Sequence, residues 1–406
     1  MIFGLLGTPL GHSFSPKIHG MLGSYEYRLF EKTPEELETF LRSGEFDGIN
    51  VTIPYKKDVI PYCAELSRQA AAIGSVNTVL RRADGTLYGD NTDYCGFSYM
   101  IRKSGVSVQG KKCVIFGSGG ASLTVRAVLA DLGAGQIVTV SRSGENNYGN
   151  LPAHFDAEIL VNATPVGMYP ETGRSVVDLS LFTRGRAAFD LVYNPARTEF
   201  LRQAMALGMT AVNGLSMLVA QAKRASELFT GTPIEDRRID EIAGIIQRQT
   251  QNVALIGMPG CGKTSVGKAL AKATGRQFVD IDEQIVQFSG KSIPEIFAQD
   301  GEERFRMLET AVLEQYAKQS GLVIACGGGV VTRQRNLPLL RQNSVTVWLQ
   351  RAVAELPTDG RPLSRQQDLQ TMYEQRLPLY TAWAEHTVQN AGVEQTAQQI
   401  KKELQL

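Results

Sequence analysis

Short apolar runs alternate along the chain with longer stretches in which apolar residues recur every three or four positions. The first pattern predicts buried strands and the second predicts amphipathic helices, so the alternation indicates parallel α/β architecture. Strands are predicted at residues 2–6, 25–30, 48–52, 112–116, 136–140 and 253–256. Helices are predicted at residues 34–42, 214–229, 234–248 and 265–274.

Composition narrows the class of partner. A chain of 406 residues has room for two or three domains. Its 42 Lys and Arg residues balance 41 Asp and Glu residues, so the net charge does not favour binding of nucleic acid. No block of like charges suggests a helix that binds a membrane surface. We therefore expect small-molecule substrates, no nucleic acid and no membrane partner.

The cysteines and the apolar runs indicate the compartment. Five cysteines are scattered without a C-x-x-C pair, which favours reduced thiols over a disulfide framework. The apolar run at residues 2–6 is too short for a signal peptide, and no run is long enough to span a bilayer. The chain is predicted to be cytoplasmic.

A glycine-rich turn follows the strand predicted at 112–116 and opens a helix, so its backbone N–H groups can face a pyrophosphate. Such turns also serve purely structural ends. About 20 residues on, where sites for NAD usually place an acidic residue, the chain has Ser141, Arg142 and Ser143. A guanidinium between two hydroxyls can clamp a phosphate, which predicts NADP rather than NAD. The turn itself comprises Gly117, Ser118, Gly119, Gly120 and Ala121.

A complete phosphate-binding loop, G-x-x-x-x-G-K-[ST], occupies residues 257–264 between the strand predicted at 253–256 and a helix. In this motif the backbone cradles phosphates, the lysine reaches the β and γ groups, and the threonine can ligate Mg²⁺. The motif alone indicates phosphate binding and little more. The predicted nucleotide contacts are Gly260, Cys261, Gly262, Lys263, Thr264 and Ser265.

Two carboxylates follow the loop at Asp280 and Asp282. If residues 278–282 form one strand, both side chains lie on the same face, because side chains alternate along a strand. One carboxylate could then hold Mg²⁺ through water while the other accepts a hydrogen bond from a substrate hydroxyl.

Seven further segments carry recognisable motifs in order, at residues 7–19, 50–56, 76–78, 89–93, 162–168, 190–195 and 214–221. Through them, residues 1 to about 248 resemble shikimate dehydrogenases. The resemblance implies substrate contacts from Ser13, Ser15, Asn50, Thr52, Lys56, Asn77, Asp93, Tyr193 and Gln221. It implies that NADP contacts come from the glycine-rich turn and from Ser141, Arg142, Ser143, Asn162, Thr164, Leu191 and Gly214.

By the same resemblance, Lys56 and Asp93 form the catalytic pair. Hydride reduction of a ketone leaves an alkoxide, so a proton donor must lie within hydrogen-bond reach of that oxygen. A lysine ammonium can donate and stabilise the developing charge, and the aspartate would orient it. Which of the two delivers the proton stays open, and a surface ion pair is the alternative. His12 is interpreted as structural or part of the substrate loop, and His19 stays unassigned.

Residues 253–406 resemble shikimate kinases through the phosphate-binding loop and through segments at 280–282, 301–309, 326–329, 360–363 and 376–380. The resemblance implies that Asp280 assists Mg²⁺ through water and that Asp282 holds the shikimate hydroxyls. Arg361 would come from a lid, contact ATP and neutralise the transferring phosphoryl group. The shikimate carboxylate would be held by Arg306 and Arg376, with backbone amides of Gly327, Gly328 and Gly329.

Two departures from these families stand out. Tyr94 follows Asp93 where many dehydrogenase relatives have glycine, at the edge of the pocket. The predicted lid is shorter than in many kinase relatives and has no arginine between Arg351 and Arg361. This could change nucleotide affinity or base discrimination.

The two resemblances concern one metabolite, since the product of the first reaction is the substrate of the second. We therefore predict a bifunctional enzyme that reduces 3-dehydroshikimate with NADPH and then phosphorylates shikimate with ATP and Mg²⁺. The predicted domains are an α/β substrate domain at 1–105 completed by about 213–249, a Rossmann-like NADP domain at about 106–212, and a P-loop domain with a parallel sheet, similar to nucleoside-monophosphate kinases, at 250–406. A monomer and a homodimer both stay open.

Two rival functions compete with this prediction. A metabolite sensor on the same folds would have lost catalytic residues, yet Lys56, Asp93, Lys263 and Asp282 are all present. A quinate-active dehydrogenase using NAD would keep the fold, and Arg142 argues against that cofactor.

Overall fold

The computed structural model describes residues 1–11, 13–356 and 369–406. Within it the chain divides into two compact units. The first consists of Met1–Met168, Arg174–Tyr193 and Thr198–Gly244. The second consists of Tyr169–Gly173, Asn194–Arg197 and Ile245–Leu406.

A mixed six-stranded sheet begins the first unit. Its strands are β1 (Ile2–Gly7), β2 (Glu26–Glu31), β3 (Gly48–Val51), β4 (Glu65–Leu66), β5 (Thr78–Arg81) and β6 (Leu87–Asp90). Their order is β2-β1-β3-β5-β6-β4, with β5 antiparallel to β3 and to β6. The strand β1 is central among the parallel ones because both of its neighbours pair with it in parallel. The helices of this region are α1 (Ser15–Leu22), α2 (Leu37–Arg42), α3 (Arg68–Ile73) and α4 (Thr92–Ser104).

A second sheet of the first unit is fully parallel, which is typical of a sheet covered by helices. Its strands are β7 (Lys112–Phe116), β8 (Gln136–Val140), β9 (Ile159–Asn162), β10 (Ala187–Asp190) and β11 (Thr210–Val212), in the order β11-β10-β9-β7-β8. The helices that follow along the chain are α5 (Gly120–Asp131), α6 (Glu199–Ala206), α7 (Leu215–Thr230) and α8 (Arg237–Thr250).

A third sheet, also parallel, forms the core of the second unit in the order β13-β14-β12-β15-β16. Its strands are β12 (Asn252–Ile256), β13 (Gln277–Asp280), β14 (Leu322–Ala325), β15 (Ser344–Gln350) and β16 (His386–Gln389). Its helices are α9 (Lys263–Thr274), α10 (Ile281–Ser289), α11 (Ile293–Gln299), α12 (Gly301–Ala317), α13 (Asn336–Arg341), α14 (Leu369–Trp383) and α15 (Val393–Glu403).

The apolar strands predicted from the sequence supply the cores. All five residues of β12 and all four residues of β14 are buried, because a parallel strand is covered on both faces. The predicted α/β fold class is confirmed. The predicted helix at 34–42 begins instead with a 3₁₀ turn at Pro34–Glu36, and its α-helical part is Leu37–Arg42. No helix in the described ranges is long and apolar enough to cross a membrane.

Candidate active sites

A partly buried ion pair marks the first site. Lys56 lies in the turn after β3, and Asp93 lies in the first turn of α4, where Asn91 accepts a hydrogen bond from the Tyr94 N–H as N-cap. The Lys56 Nζ is 2.6 Å from Asp93 Oδ2, and only 18% and 10% of the two side chains are exposed. A pair this shielded from water interacts more strongly than one on an open surface. The structure therefore brings together the two residues that the sequence predicts as a pair.

Two asparagines beside this pair have their carboxamide oxygens occupied by protein donors. Asn77 Oδ1 accepts from the Thr92 N–H at 2.6 Å and from the Thr92 hydroxyl at 3.2 Å. Asn50 Oδ1 accepts from the Tyr27 hydroxyl at 2.8 Å, and Asn50 Nδ2 donates to Thr78 Oγ1 at 3.2 Å. With the oxygens occupied, the amide nitrogens are the groups left to donate to a ligand.

Other predicted substrate residues come from loops and helices around this cleft. The Ser13 hydroxyl accepts from the Ser15 N–H at the start of α1, and Phe14 between them packs against Tyr193 with ring centroids 5.8 Å apart. Gln221 on α7 lies against Gly96 of α4, one turn beyond Asp93. Thr52 follows β3 and contacts Gly7 at the end of β1. His12 lies outside the described residues.

The glycine-rich turn after β7 lies beside the Lys56–Asp93 pair. Gly117 has φ +111°, and a Cβ there would be 3.0 Å from the Ala163 carbonyl oxygen. Gly119 is the N-cap of α5, where the first backbone N–H groups have no partner within the helix, and Ser118 and Gly119 are both exposed. A Cβ on Gly120 would be 3.6 Å from Lys56 Cδ. The glycine-rich turn and the candidate proton donor thus lie next to each other, with Ala121 next in the helix.

The remaining predicted cofactor residues lie at the carboxyl ends of the same sheet. Arg142, between Ser141 and Ser143, is exposed after β8. Asn162 at the end of β9 accepts from the Thr164 hydroxyl at 2.6 Å. The segment after β10 meets the start of α7, where a Cβ on Gly214 would overlap the Leu191 carbonyl oxygen.

Asp190, at the end of β10, is a buried group to which the sequence assigned no role. Its carboxylate accepts from Asn162 Nδ2 at 3.0 Å, from the Val192 N–H at 3.0 Å and from the Thr198 hydroxyl at 2.5 Å. Burial raises the pKa of Asp190 to about 7, although the three hydrogen bonds that its carboxylate accepts act to lower the pKa. The carboxylate ties the Asn162 loop to the segment that carries Leu191 and Tyr193.

The second unit places the phosphate-binding loop between β12 and α9. Gly260 and Gly262 have φ of +84° and +100°, a region that favours glycine. The buried Lys263 Nζ donates to the carbonyls of Gly257 and Met258, each at 2.9 Å, and so lies across the mouth of the loop. Asn390 Nδ2 donates to the Cys261 carbonyl at 2.7 Å from the far side.

The sequence-based reason for pairing Asp280 and Asp282 is wrong. The strand ends at Asp280, which is the N-cap of α10, and Asp282 lies in the first turn of that helix. Asp280 Oδ1 accepts from the backbone N–H groups of Asp282 and Glu283, and this capping stops the strand. The Thr264 hydroxyl donates to Asp280 Oδ2 at 2.6 Å, which brings the two predicted Mg²⁺ residues together.

Asp282 is an unusual carboxylate. Its Oδ1 is buried and has no hydrogen-bond partner among the residues that the structure describes. Burial raises the pKa of Asp282 to about 6, helped by the charges of Glu309 and Asp280 and opposed by Lys263 and Arg306. A carboxyl group held in this way is suited to accept a hydroxyl proton near neutral pH.

Two buried arginines face the same space. Arg306 Nη1 donates to Glu309 Oε2 at 2.8 Å, and Arg376 Nη1 donates to the Gly328 carbonyl at 3.2 Å. A Cβ on Gly329 would overlap the Arg306 guanidinium, and a Cβ on Gly327 would be 3.0 Å from Asp282 Oδ1. The glycines therefore leave room beside charged groups that a side chain would fill.

One cavity of about 480 Å³ joins these groups. Every predicted kinase residue lines it except Cys261, which is buried behind the loop, and Arg361, which lies outside the described residues. The structure adds Arg351 and Glu309 to the lining. Burial raises the pKa of Glu309, and the neighbouring Arg306 opposes the shift. Glu309 ends the kinase-like segment at 301–309, but no role for it was predicted from the sequence.

Comparisons with known proteins follow the same division. Residues 5–79 match the family model of the shikimate dehydrogenase substrate binding domain, and residues 259–405 match the shikimate kinase model. A shikimate dehydrogenase (NADP(+)) of Clostridium perfringens (strain 13 / Type A) is 37% identical over 262 residues, which cover 59% of this chain and 96% of that protein.

Solved structures give the same result for the first part of the chain. A chorismate mutase/shikimate 5-dehydrogenase fusion protein from Clostridium acetobutylicum is 38% identical, with a TM-score of 0.57 and coverage of 61% of this chain and 97% of that one. A shikimate 5-dehydrogenase from Thermus thermophilus, solved with NADP(H) and shikimate, is 32% identical with a TM-score of 0.55, covering 60% of this chain and 98% of that one.

Proposed function

The chain belongs to the shikimate dehydrogenase family in its N-terminal part and carries a shikimate kinase domain in its C-terminal part, and we propose that it catalyses two consecutive reactions. The first reduces 3-dehydroshikimate to shikimate with NADPH. The second transfers the γ-phosphoryl group of ATP to the 3-hydroxyl of shikimate. The observation that carries the proposal is that both matched families are named for one metabolite, while each part of the chain brings predicted site residues together.

The geometry of the first site supports the reduction. NADPH would supply the hydride, and the turn from Gly117 to Ala121 with Arg142 fits its phosphates, because the turn opens a helix and residues 118, 119 and 142 are exposed. Lys56 would donate a hydrogen bond to the ketone oxygen and stabilise the alkoxide as it forms, with Asp93 holding the ammonium at 2.6 Å. Ser13 and Ser15 are proposed to hold the carboxylate of the substrate.

Arg142 gives a test of cofactor choice. We expect Arg142→Ala to raise the KM for NADPH about tenfold to about a hundredfold and to leave the KM for NADH nearly unchanged, because only NADPH has the 2′-phosphate that the guanidinium would bind. Initial rates with each cofactor measure this. Arg126→Ala, an exposed arginine on α5, is the matched control. An equal loss with both cofactors would contradict the assigned role.

The second site supports phosphoryl transfer by charge and position. The P-loop amides and Lys263 would hold the phosphates, and Asp282 would accept the proton of the attacking hydroxyl. Arg306 and Arg376 are proposed to hold the substrate carboxylate. Arg361 keeps its predicted role at the transferring group as a proposal.

Mg²⁺ would neutralise charge on the transferring phosphoryl group when bound. The ligand atoms fit a hard cation, because they are oxygens: Thr264 Oγ1 and Asp280 Oδ2 lie 2.6 Å apart. No cluster of three or more His, Cys, Asp or Glu side chains in the described part of the chain is arranged to hold a metal ion. One or two protein ligands with phosphate and water are the usual set for Mg²⁺.

The raised pKa of Asp282 predicts the pH dependence of the kinase reaction. The carboxylate form is the one that accepts a proton, so kcat/KM for shikimate should be flat above about pH 6 and fall about tenfold per pH unit below it. Coupled assays between about pH 5 and about pH 8 measure the profile. A profile without an acid limb in this range would contradict the role of Asp282.

Mass spectrometry of the products tests the whole proposal. Purified protein receives 3-dehydroshikimate, NADPH, ATP and Mg²⁺ together, and shikimate 3-phosphate is the expected product. Shikimate alone would contradict the kinase half, and unchanged substrate would contradict the dehydrogenase half and favour the sensor. Quinate oxidation with NAD, measured in parallel, would favour the quinate-active alternative if it exceeded shikimate oxidation with NADP.

A further inference from the structure

A chain of buried polar side chains lies behind the proposed substrate residues of the dehydrogenase site. His19 on α1 is fully buried, and burial lowers its pKa to about 3, so the ring is neutral. Its ring stacks on Tyr27 with centroids 4.0 Å apart and an angle of 13° between the planes. The sequence left His19 unassigned and gave Tyr27 no role.

The protons of this cluster can be placed. The Tyr25 hydroxyl donates to Ser226 Oγ at 2.9 Å, so its oxygen accepts from His19 Nδ1, 2.6 Å away. His19 Nε2 is then a lone-pair nitrogen, and it has no hydrogen-bond partner among the described residues. The ring cannot donate to Tyr27, so His19 contacts the Tyr27 side chain through the face-to-face stack alone.

Tyr27 reaches a predicted substrate residue across an intervening strand. It lies on β2, opposite Phe3 of β1, while Asn50 lies on β3, opposite Leu5 of β1. Two strand spacings are about 10 Å, a gap that needs a side chain as long as tyrosine. The Tyr27 hydroxyl closes it and donates to Asn50 Oδ1 at 2.8 Å.

This hydrogen bond fixes the direction of the Asn50 amide. With Oδ1 accepting from Tyr27, Nδ2 donates one proton to Thr78 Oγ1 at 3.2 Å. Its second proton is the one that a ligand oxygen can take, in competition with His19, whose ring also interacts with the Asn50 side chain. A flipped amide would present an acceptor to that oxygen instead. Without the phenol, little would distinguish the two orientations.

We propose that Tyr27 is a positioning residue of the dehydrogenase site, which holds the Asn50 amide with its nitrogen available to a hydroxyl or carboxylate oxygen of the substrate. The inference rests on the proposed function, because it concerns the substrate of that reaction. It extends the site to Tyr27 on an edge strand, a residue that interacts with the proposed substrate residues Asn50 and Ser15.

The test is Tyr27→Phe in the full chain, assayed as oxidation of shikimate with NADP⁺. The variant keeps the ring stacked on His19 and removes only the hydroxyl. We expect the KM for shikimate to rise about threefold to about tenfold, with kcat and the KM for NADP⁺ within about twofold of the wild type. Isothermal titration of shikimate should show the same loss of affinity.

Two controls separate positioning from a general loss of packing. Tyr25→Phe removes a neighbouring hydroxyl that touches no predicted substrate residue, and should leave the KM for shikimate within about twofold. Asn50→Ala should raise that KM by itself, and adding Tyr27→Phe to it should have no further effect, because the two side chains act through one amide.

The outcomes distinguish this inference from the proposed function. An unchanged KM in Tyr27→Phe, an equal rise in Tyr25→Phe, or additive effects of Tyr27→Phe and Asn50→Ala would each overturn the inference while wild-type turnover upholds the enzyme. A wild-type protein that oxidises no shikimate and binds none would overturn the proposed function, and the role of Tyr27 with it.

Discussion

Replacing Lys56 with methionine is expected to slow the reduction of 3-dehydroshikimate by about three orders of magnitude in kcat and to leave the kinase rate unchanged. Methionine keeps the length of the side chain and removes the ammonium, so the developing alkoxide loses a hydrogen-bond donor and the positive charge that stabilises it. NADPH consumption gives the first rate, and ATP-dependent formation of shikimate 3-phosphate by the same preparation gives the second.

The neighbouring lysine provides the matched control. Lys57 is exposed beside the half-buried Lys56, and Lys57→Met should change neither rate by more than about twofold. Asp93→Asn should also slow the reduction, and the double variant should be little slower than Lys56→Met alone, because the two groups act as a unit. Dehydrogenase turnover that survives in Lys56→Met would contradict the assigned pair.

The fold class could be predicted from the sequence because its two signals, apolar strand runs and glycine-rich turns, are both local along the chain. The run at 253–256 is apolar at every position, which is what a strand covered on two faces requires, and the structure has β12 at Asn252–Ile256. The glycine-rich turns also carry their own conformational signal, as at Gly262, where φ is +100°. The end of the strand at Asp280 was missed because a capping side chain competes with strand alternation, and the pattern of apolar residues does not register it.

The first site was only partly predictable, for a physical reason. Lys56 and Asp93 lie in segments that resemble the dehydrogenase family, so their pairing could be proposed from the sequence. Tyr27 and Asp190 act on residues of such segments through contacts 23 and 28 residues away along the chain, to Asn50 and Asn162. Such contacts depend on strand order, which a single sequence does not specify.

The structure also places both proposed sites at the same kind of position. Asn162 and Asp190 end β9 and β10 of one parallel sheet, and Asp280 ends β13 of another. Helix N-termini and strand carboxyl ends meet at such edges, where backbone N–H groups favour anions. We therefore expect each part of the chain to bind its anionic nucleotide at the carboxyl ends of a parallel sheet, and the two sites to differ in the side chains proposed to hold the substrate.

Asp282 carries the second large prediction, since it is the acceptor for the attacking hydroxyl in the proposed kinase reaction. Asp282→Asn keeps the shape of the side chain and removes its basicity, so we expect kcat for phosphoryl transfer to fall by about two to about four orders of magnitude. The acid limb near pH 6 should disappear from the residual activity, because the group responsible for it is gone. The dehydrogenase rate should stay unchanged.

The matched control for Asp282→Asn is Glu283→Gln on the same turn of α10. The Glu283 carboxylate is exposed, and Lys268 is its only charged partner among the described residues. It should keep both the rate and the acid limb, because a solvent-exposed ion pair contributes little. If Asp282→Asn kept the acid limb while losing rate, the titrating group would be another one in the cavity. Glu309 would then be the first to replace, because its Oε1 is buried without a partner among the described residues. That outcome would leave Asp282 with binding of the hydroxyls and remove it from proton transfer.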